Sequence, residues 1–280
     1  MIPVAAGVGL KPEHFSSALA TTGTDLWFEI HPENYMIDGG PRLDGLISVR
    51  EQFPLSLHGI GASIGGPLPP SHDHLKQLKR LVNLLEPAAI SEHAVWSRDA
   101  RQYYADLLPL PRTREAMKRL CNGIDKMQTA LGRNILIENP ANYVALVSEM
   151  DEPDFLVETA RTTSAGLLID VNNIYVSAHN CGIDARGYID AIPPELVGEI
   201  HIAGHHVDEN YPDQLLIDSH AAAVVAPVWD LLEYAIKTYG PKPILLERDA
   251  DLPPFVELMV ERDRAQGILT GIQEASIEQA

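Results

Sequence analysis

At 280 residues, with 45% apolar and 21% charged side chains, the chain has the size and balance of one large globular domain, not of a disordered or fibrous protein. Its 39 acidic against 21 basic side chains leave a net charge of −18, which repels phosphate backbones and argues against nucleic acid as a partner. No apolar run approaches the roughly 18 residues of a membrane span, and two cysteines are too few for a disulfide framework, so no membrane association is expected and the expected compartment is the reducing cytoplasm.

In chain order, eight short apolar runs read as strands: Val4–Leu10, Leu26–Ile30, Leu55–Ile60, Ala88–His93, Asn134–Glu138, Ala165–Asp170, Val197–Ile202 and Pro243–Glu247. Helical patterns follow them at Pro41–Gln52, Asp73–Leu85, Thr113–Leu131, Pro153–Thr162, Gly187–Ala191, Ala226–Tyr239 and Leu252–Gln266. Thr113 suits an N-cap, and Gly132 and Gly240 fall where helices should stop. The first connection, His14–Leu26, is short and ill-defined, and Gly267–Ala280 reads as a loose tail. Strand–helix alternation repeated eight times predicts right-handed crossovers and a closed parallel sheet, so the expected fold is a single α/β domain over residues 1–280, a (β/α)8 barrel.

The residues that end these strands carry the chemistry. The third strand closes on His58, the fourth on His93, the fifth on Glu138-Asn139, the sixth on Asp170, the seventh on His201 and the eighth on Glu247-Arg248-Asp249. Six consecutive strands thus deliver imidazoles and carboxylates to the C-terminal mouth, where barrels of this class keep their active sites. Asp218 and His220 follow the seventh strand, two residues apart, so an extended backbone would point both the same way. Carboxylates bridge metal ions and imidazoles hold each one, so the set suits two or three ions better than one.

Taken singly, such a His or Glu is more often a satisfied polar group than a ligand; the repetition over six strands is the signal. His14, His72, His74 and His206 read as solvated, whereas His179 and His205 sit in mouth loops as candidate substrate or supporting contacts, together with Asn34, Asn139 and Arg248. Gly59–Gly66 is glycine-rich but runs into prolines, not a helix, so it fails as a phosphate loop and instead allows close backbone approach. Cys121 reads as packing and Cys181 as unreactive; no Gly-x-Ser-x-Gly motif is present.

The segments Gly7-Val-Gly-Leu-Lys11, His31-Pro-Glu-Asn-Tyr-Met36, Leu57-His-Gly-Ile-Gly61, Ser91-Glu-His-Ala-Val-Trp-Ser97, Ile137-Glu-Asn-Pro-Ala-Asn-Tyr143, Asp170-Val-Asn-Asn-Ile-Tyr175 and Asp218-Ser-His220 resemble the multinuclear non-haem iron-dependent oxidases, the family of the methanobactin-biosynthesis oxidase. The resemblance spans roughly residues 5 to 265 and implies a barrel of the xylose isomerase-like type. By position it implies His58, His93, Glu138, Asp170, His201 and Glu247 as ligands of an iron pair, with Glu138 bridging, and Asn173, Asp218 and His220 as a third site. The related apurinic endonucleases place a histidine where this chain has Asn173, a departure that favours iron-oxidase chemistry over a zinc hydrolase.

Asp249 resembles the family's general base and, with Glu138, stands as the catalytic pair. The implied cofactors are two or three iron ions, Fe2+ or Fe3+, with dioxygen as co-substrate. The implied partners are a cysteine-containing, ribosomally made precursor peptide and a separate peptide-recognition protein. An acidic mouth suits a cationic peptide. Two other readings use the same residues: a metal-dependent hydrolase or sugar isomerase on the same barrel, and a non-catalytic metal- or peptide-binding scaffold.

Overall fold

All eight expected runs form strands, and the period of two along them, interrupted by a register shift between Val197 and Glu199, decides what lies inside. The computed structural model describes residues 2–22, 25–146, 148–212 and 214–278. In chain order the elements are β1 (Ala6–Gly9), α1 (Phe15–Ala20), β2 (Phe28–Ile30), α2 (Pro41–Gln52), β3 (Leu55–Gly59), α3 (His72–Leu85) and β4 (Ala89–His93). There follow β5 (Val95–Arg98), β6 (Tyr103–Pro109), α4 (Arg114–Leu131), β7 (Leu136–Glu138), α5 (Glu152–Thr163), β8 (Gly166–Asp170), α6 (Val171–Cys181) and α7 (Ala185–Asp190). The chain ends with β9 (Val197–Ala203), β10 (His206–Val207), β11 (Leu216–Ile217), α8 (Ala226–Tyr239), β12 (Ile244–Glu247) and α9 (Phe255–Glu278).

Eight of these strands close into a parallel barrel in the order β1-β12-β9-β8-β7-β4-β3-β2, with β1 pairing both β12 and β2. Leu55, Leu57, Ile90, Ile137, Leu167, Ile169, Ile200, Ile202, Ile244 and Leu246 all join the apolar layer between barrel and helices. Their strand neighbours Ser56, His58, Ser91, His93, Glu138, Asp170, Glu199, His201 and Glu247 therefore face the barrel interior, and all are buried. No helix among the described residues is long and apolar enough to cross a membrane.

Several features depart from the sequence reading. The fourth and seventh connections are antiparallel hairpins, β5–β6 and β10–β11, projecting at the mouth before any helix begins. A helix that periodicity did not mark, α6, starts at Val171 with no loop after β8, because Asp170 ends the strand and also caps the helix, its Oδ1 accepting from Asn173 N at 2.6 Å. Helix α9 runs to Glu278, through the Gly267 position where the pattern was expected to end. Asp218 and His220 do not share an extended strand; they follow β11, and His220 adopts a left-handed conformation at φ 47°.

The glycine-rich stretch after β3 packs directly on α4. A Cβ on Gly123 would lie 2.0 Å from the carbonyl oxygen of Ile64, so only glycine lets the helix approach this segment. Gly123→Ala should destabilise the protein by about 1–3 kcal/mol, the usual range for overpacking, measured by denaturant unfolding. An unchanged midpoint would mean that the helix can shift without loss.

Candidate metal centre

Glu138, at the end of β7, is the hub. Its Oε2 lies 3.0 Å from Nε2 of His58 and 2.9 Å from Nε2 of His93, while its Oε1 is 3.9 Å from Nδ1 of His201. The opposite ring nitrogens of the first two histidines are held in place, His58 Nδ1 by Ser91 Oγ at 2.7 Å and His93 Nδ1 by the Gly59 carbonyl at 3.0 Å. A carbonyl only accepts, so His93 carries its proton on Nδ1 there and turns Nε2 toward Glu138.

Ligand atoms of Glu138, Asp170, His201 and Glu247 lie within 4.8 Å of one another, as do those of His58, Glu138 and His201. Glu247 Oε2 is 3.2 Å from His201 Nδ1 and 3.2 Å from His220 Nδ1. His220 Nε2 meets Asp218 Oδ1 at 2.7 Å. Asn139 clamps the end of β8 through its side chain, accepting from Asp170 N at 2.9 Å and donating to Asp170 O at 3.0 Å. That clamp leaves Asp170 Oδ1 to cap α6 and Oδ2 with no hydrogen bond. Asn173 donates to Asn139 O at 3.0 Å, and its own Oδ1 is likewise unpartnered.

Buried polar atoms without partners are uncommon, because each costs about 1–3 kcal/mol or more. Here Asp170 Oδ2 and Asn173 Oδ1 have none, and His58 Nε2, both Glu138 oxygens and His220 Nε2 are met only by other imidazoles and carboxylates of the centre. Mixed imidazole and carboxylate donors converging in this way fit borderline-hard divalent or trivalent ions. Such ions would be held by the sequence-expected residues His58, His93, Glu138, Asp170, His201 and Glu247, with Asn173, Asp218 and His220 alongside.

The electrostatics of these side chains tell the same story. Burial alone pushes the His93 imidazole down, but the Glu138 carboxylate bonded to it carries it up to about 10. Burial raises Asp170 to about 7, helped by the nearby Glu138 charge. Burial works against the ionised form of Glu138, yet His93 and His58 overcome it and hold that carboxyl well below its usual range.

The mouth holds more than the sequence reading named. Asp249, about a third exposed, lies 2.5 Å from Lys11 Nζ, 3.1 Å from His31 Nε2 and 3.4 Å from His220 Nδ1. Of these, Asp249, His31 and His220 line a cavity of about 370 Å³ with His93, Tyr103, Asp218 and Glu247. Glu29 and Glu199 are fully interior, within 3.3 Å of His201 Nε2. Lys11 ends the Gly7–Lys11 segment of the family resemblance but had no role assigned from it, while Glu29 and Glu199 could have been found by the period of two, each lying on the inward face of its strand.

Among the remaining candidates, His205 donates from Nδ1 to Asn172 Oδ1 at 2.8 Å and stacks on Tyr175, and Asn172 in turn donates to Asp218 Oδ1 at 2.8 Å. His179 is exposed on α6 and Asn34 is exposed in the turn after β2. Arg248 turns outward to Glu261 of α9 at 2.8 Å. His72 and His206 are exposed as expected, but His14 is buried, its ring against Phe255 and its Nε2 3.1 Å from Pro253 O. His74 is also largely covered, 3.6 Å from Glu33, whose carboxylate accepts from Ile60 and Gly61 N–H. The solvated reading fails for both because their covering comes from segments remote in the chain. Cys121 is buried in α4, and Cys181 closes α6 with its thiol 3.4 Å from Asn142 O.

With this geometry in view, comparison with known proteins is informative. A family model described as RiPP precursor modification enzyme MbnB/TglH/ChrH matches residues 5–270. The chain belongs to this family. It is similar to a UPF0276 protein of Caulobacter sp. (strain K31), 51% identical over 266 residues, covering 95% of this chain and 96% of the relative. A UPF0276 protein of Bordetella bronchiseptica is 45% identical, covering 96% of this chain and 93% of the relative. Among solved structures, D-psicose 3-epimerase from Clostridium cellulolyticum H10 shares the fold at 11% identity, with a TM-score of 0.59 and coverage of 96% and 98%. Endonuclease IV from Thermus thermophilus shares it at 15% identity, with a TM-score of 0.51 and coverage of 99% and 100%. This member of the RiPP-modifying family is thus a closed parallel barrel, sharing its fold with those structures, whose mouth gathers several groups able to hold metal.

An ion entering the cluster competes with the protons on His93 and Asp170, so affinity rises as pH rises. It should increase about tenfold per pH unit for each proton displaced between pH 6 and 8, read by chelator competition. Equal affinity at both ends of that window would place the ion elsewhere.

Proposed function

We propose that the protein is a multinuclear iron-dependent oxidase that modifies cysteine residues of a ribosomally made precursor peptide, with a peptide-recognition protein as partner, in the cytoplasm. The observation that carries this reading is the convergence of buried imidazole and carboxylate atoms, partnered by one another or not at all, from consecutive strand ends in a chain of this family. His58, His93, Glu138, Asp170, His201 and Glu247 would hold an iron pair, and Asn173, Asp218 and His220 a third ion. Iron bound there would supply the activation of dioxygen, which would accept the electrons that the cysteine side chain loses.

The protein's own groups set the rest. The cavity beside His93 and Asp249 admits a peptide side chain from solvent, and its acidic walls favour a cationic peptide. Burial and the Glu247 charge oppose ionisation of Asp249, but His31 and His220 prevail and keep its carboxyl well below the usual range. Asp249 is therefore ionised at neutral pH and placed to take a proton from substrate, with the His31 imidazole 3.1 Å away to steady the carboxylate. Burial lowers the His31 imidazole, yet Asp249 outweighs it and raises it, so His31 favours its charged form beside that carboxylate.

A sugar isomerase or hydrolase reading has only the shared barrel behind it, since the solved neighbours quoted are at most 15% identical. Two tests follow. Co-expression with a cysteine-containing precursor peptide and its partner protein should give a peptide mass change that requires both iron and oxygen; turnover under anaerobic conditions, or with zinc alone, would remove the oxidase reading. Asp249→Asn should lower turnover by about 10²–10⁴-fold with iron content unchanged, the usual span for losing a general base. Retained turnover in that variant would leave Asp249 without a proton-transfer role.

A further inference from the structure

We infer that Glu29 and Glu199 are positioning residues that fix His201 with Nδ1 aimed into the metal centre, so that it serves the metals through a different ring nitrogen from His58 and His93. The inference rests on the metal-centre reading above and adds to it a pair of carboxylates outside the ligand set.

The three barrel histidines are not equivalent. His58 and His93 both turn Nε2 toward Glu138, with Nδ1 held by Ser91 Oγ and Gly59 O, neutral groups. His201 is inverted. Its Nδ1 stands 3.2 Å from Glu247 Oε2 and 3.9 Å from Glu138 Oε1, on the cluster side. Its Nε2 points down the barrel, 3.2 Å from Glu29 Oε1 and 3.3 Å from Glu199 Oε1. Carboxylates stand at both ring nitrogens, but Glu247 at Nδ1 belongs to the ligand set while Glu29 and Glu199 at Nε2 do not, so with ions bound the proton stays on Nε2 and the Nδ1 lone pair faces the ions.

Placement follows from the strands. Glu199 precedes His201 by two residues on β9, so it occupies the same inward face one pleat deeper. Glu29 arrives from β2, and both side chains are essentially inaccessible, at 3% and 0% exposure. Burying one carboxylate costs several kcal/mol unless it is compensated, and two side by side cost more. Apart from His201, the oxygens of Glu29 and Oε2 of Glu199 have no hydrogen-bond partner, and His201 is within ion-pair distance of both carboxylates. An imidazole backed by carboxylate is a stronger donor than one backed by a hydroxyl or carbonyl. The ion served by His201 is therefore the one best suited to the higher charge.

Zinc is a diamagnetic probe of this arrangement. In nitrogen-15 NMR spectra of the zinc-loaded protein, His201 should show a protonated Nε2 and a metal-bound Nδ1, with His58 and His93 showing the reverse. Glu29→Gln with Glu199→Gln should weaken one zinc ion by about 10–100-fold and leave the others at wild-type affinity. His201 bound through Nε2, or a folded double variant with every affinity unchanged, overturns the inference while leaving the metal centre standing. Should the double variant not fold, the wild-type spectrum decides alone. A wild-type protein that binds neither zinc nor iron fails at the level of the metal centre and takes this inference with it.

Discussion

The placement of the Glu138 carboxylate between His58, His93 and His201 is the contact on which the mouth of the barrel depends. A carboxylate at 0% exposure is tolerable only with cationic or hydrogen-bonding company, and among the described residues no backbone N–H bonds to these two oxygens. The neighbouring strands must therefore end on imidazoles at matching heights. The register provides that, with His93 directly beside Glu138 and Asp170 beside His201. The ladder that closes the barrel is thus also what sets the spacing of the donors.

Charge decides what the cluster is for. Burial raises Asp170 to about 7, and burial together with Glu29 raises Glu199 to about 8, whereas Glu138 and Glu247 remain ionised beside their histidines. An arrangement built only for stability would replace such a set with apolar residues, which is often neutral or favourable by about 1–4 kcal/mol. Retaining interior carboxylates that the protein's own cations do not fully neutralise makes sense where further positive charge belongs among them.

Much of this was legible in the sequence for a specific reason. Strand-end residues reveal themselves because a strand's apolar run stops abruptly, and His58, His93, Glu138, Asp170, His201 and Glu247 each stand at or beside such a stop. What was missed lacked punctuation or was settled by distant contacts. Helix α6 follows β8 with no turn residue between them, since Asp170 serves both elements. Glu29 and Glu199 lie inside apolar runs and look like ordinary strand residues until the direction of each side chain is assigned. His14 and His74 are covered by Phe255 and Glu33, partners from other segments that no local pattern announces.

Glu92 shows where the same rule of alternation draws the boundary of the centre. It adjoins His93 on β4 but shares the outward face of Ile90, so it enters the layer between barrel and helices, away from Glu138. There its oxygens accept from His93 N at 3.1 Å and Ala62 N at 3.2 Å, and burial carries its carboxyl up to about 8. A Cβ on Gly59 would sit 2.6 Å from Glu92 Oε2, so the glycine and the carboxylate fit only as a pair. Gly59 also supplies the carbonyl that orients His93. The outward carboxylate thus holds the segment that aims an inward imidazole, and the centre draws its rigidity from a residue that never faces it.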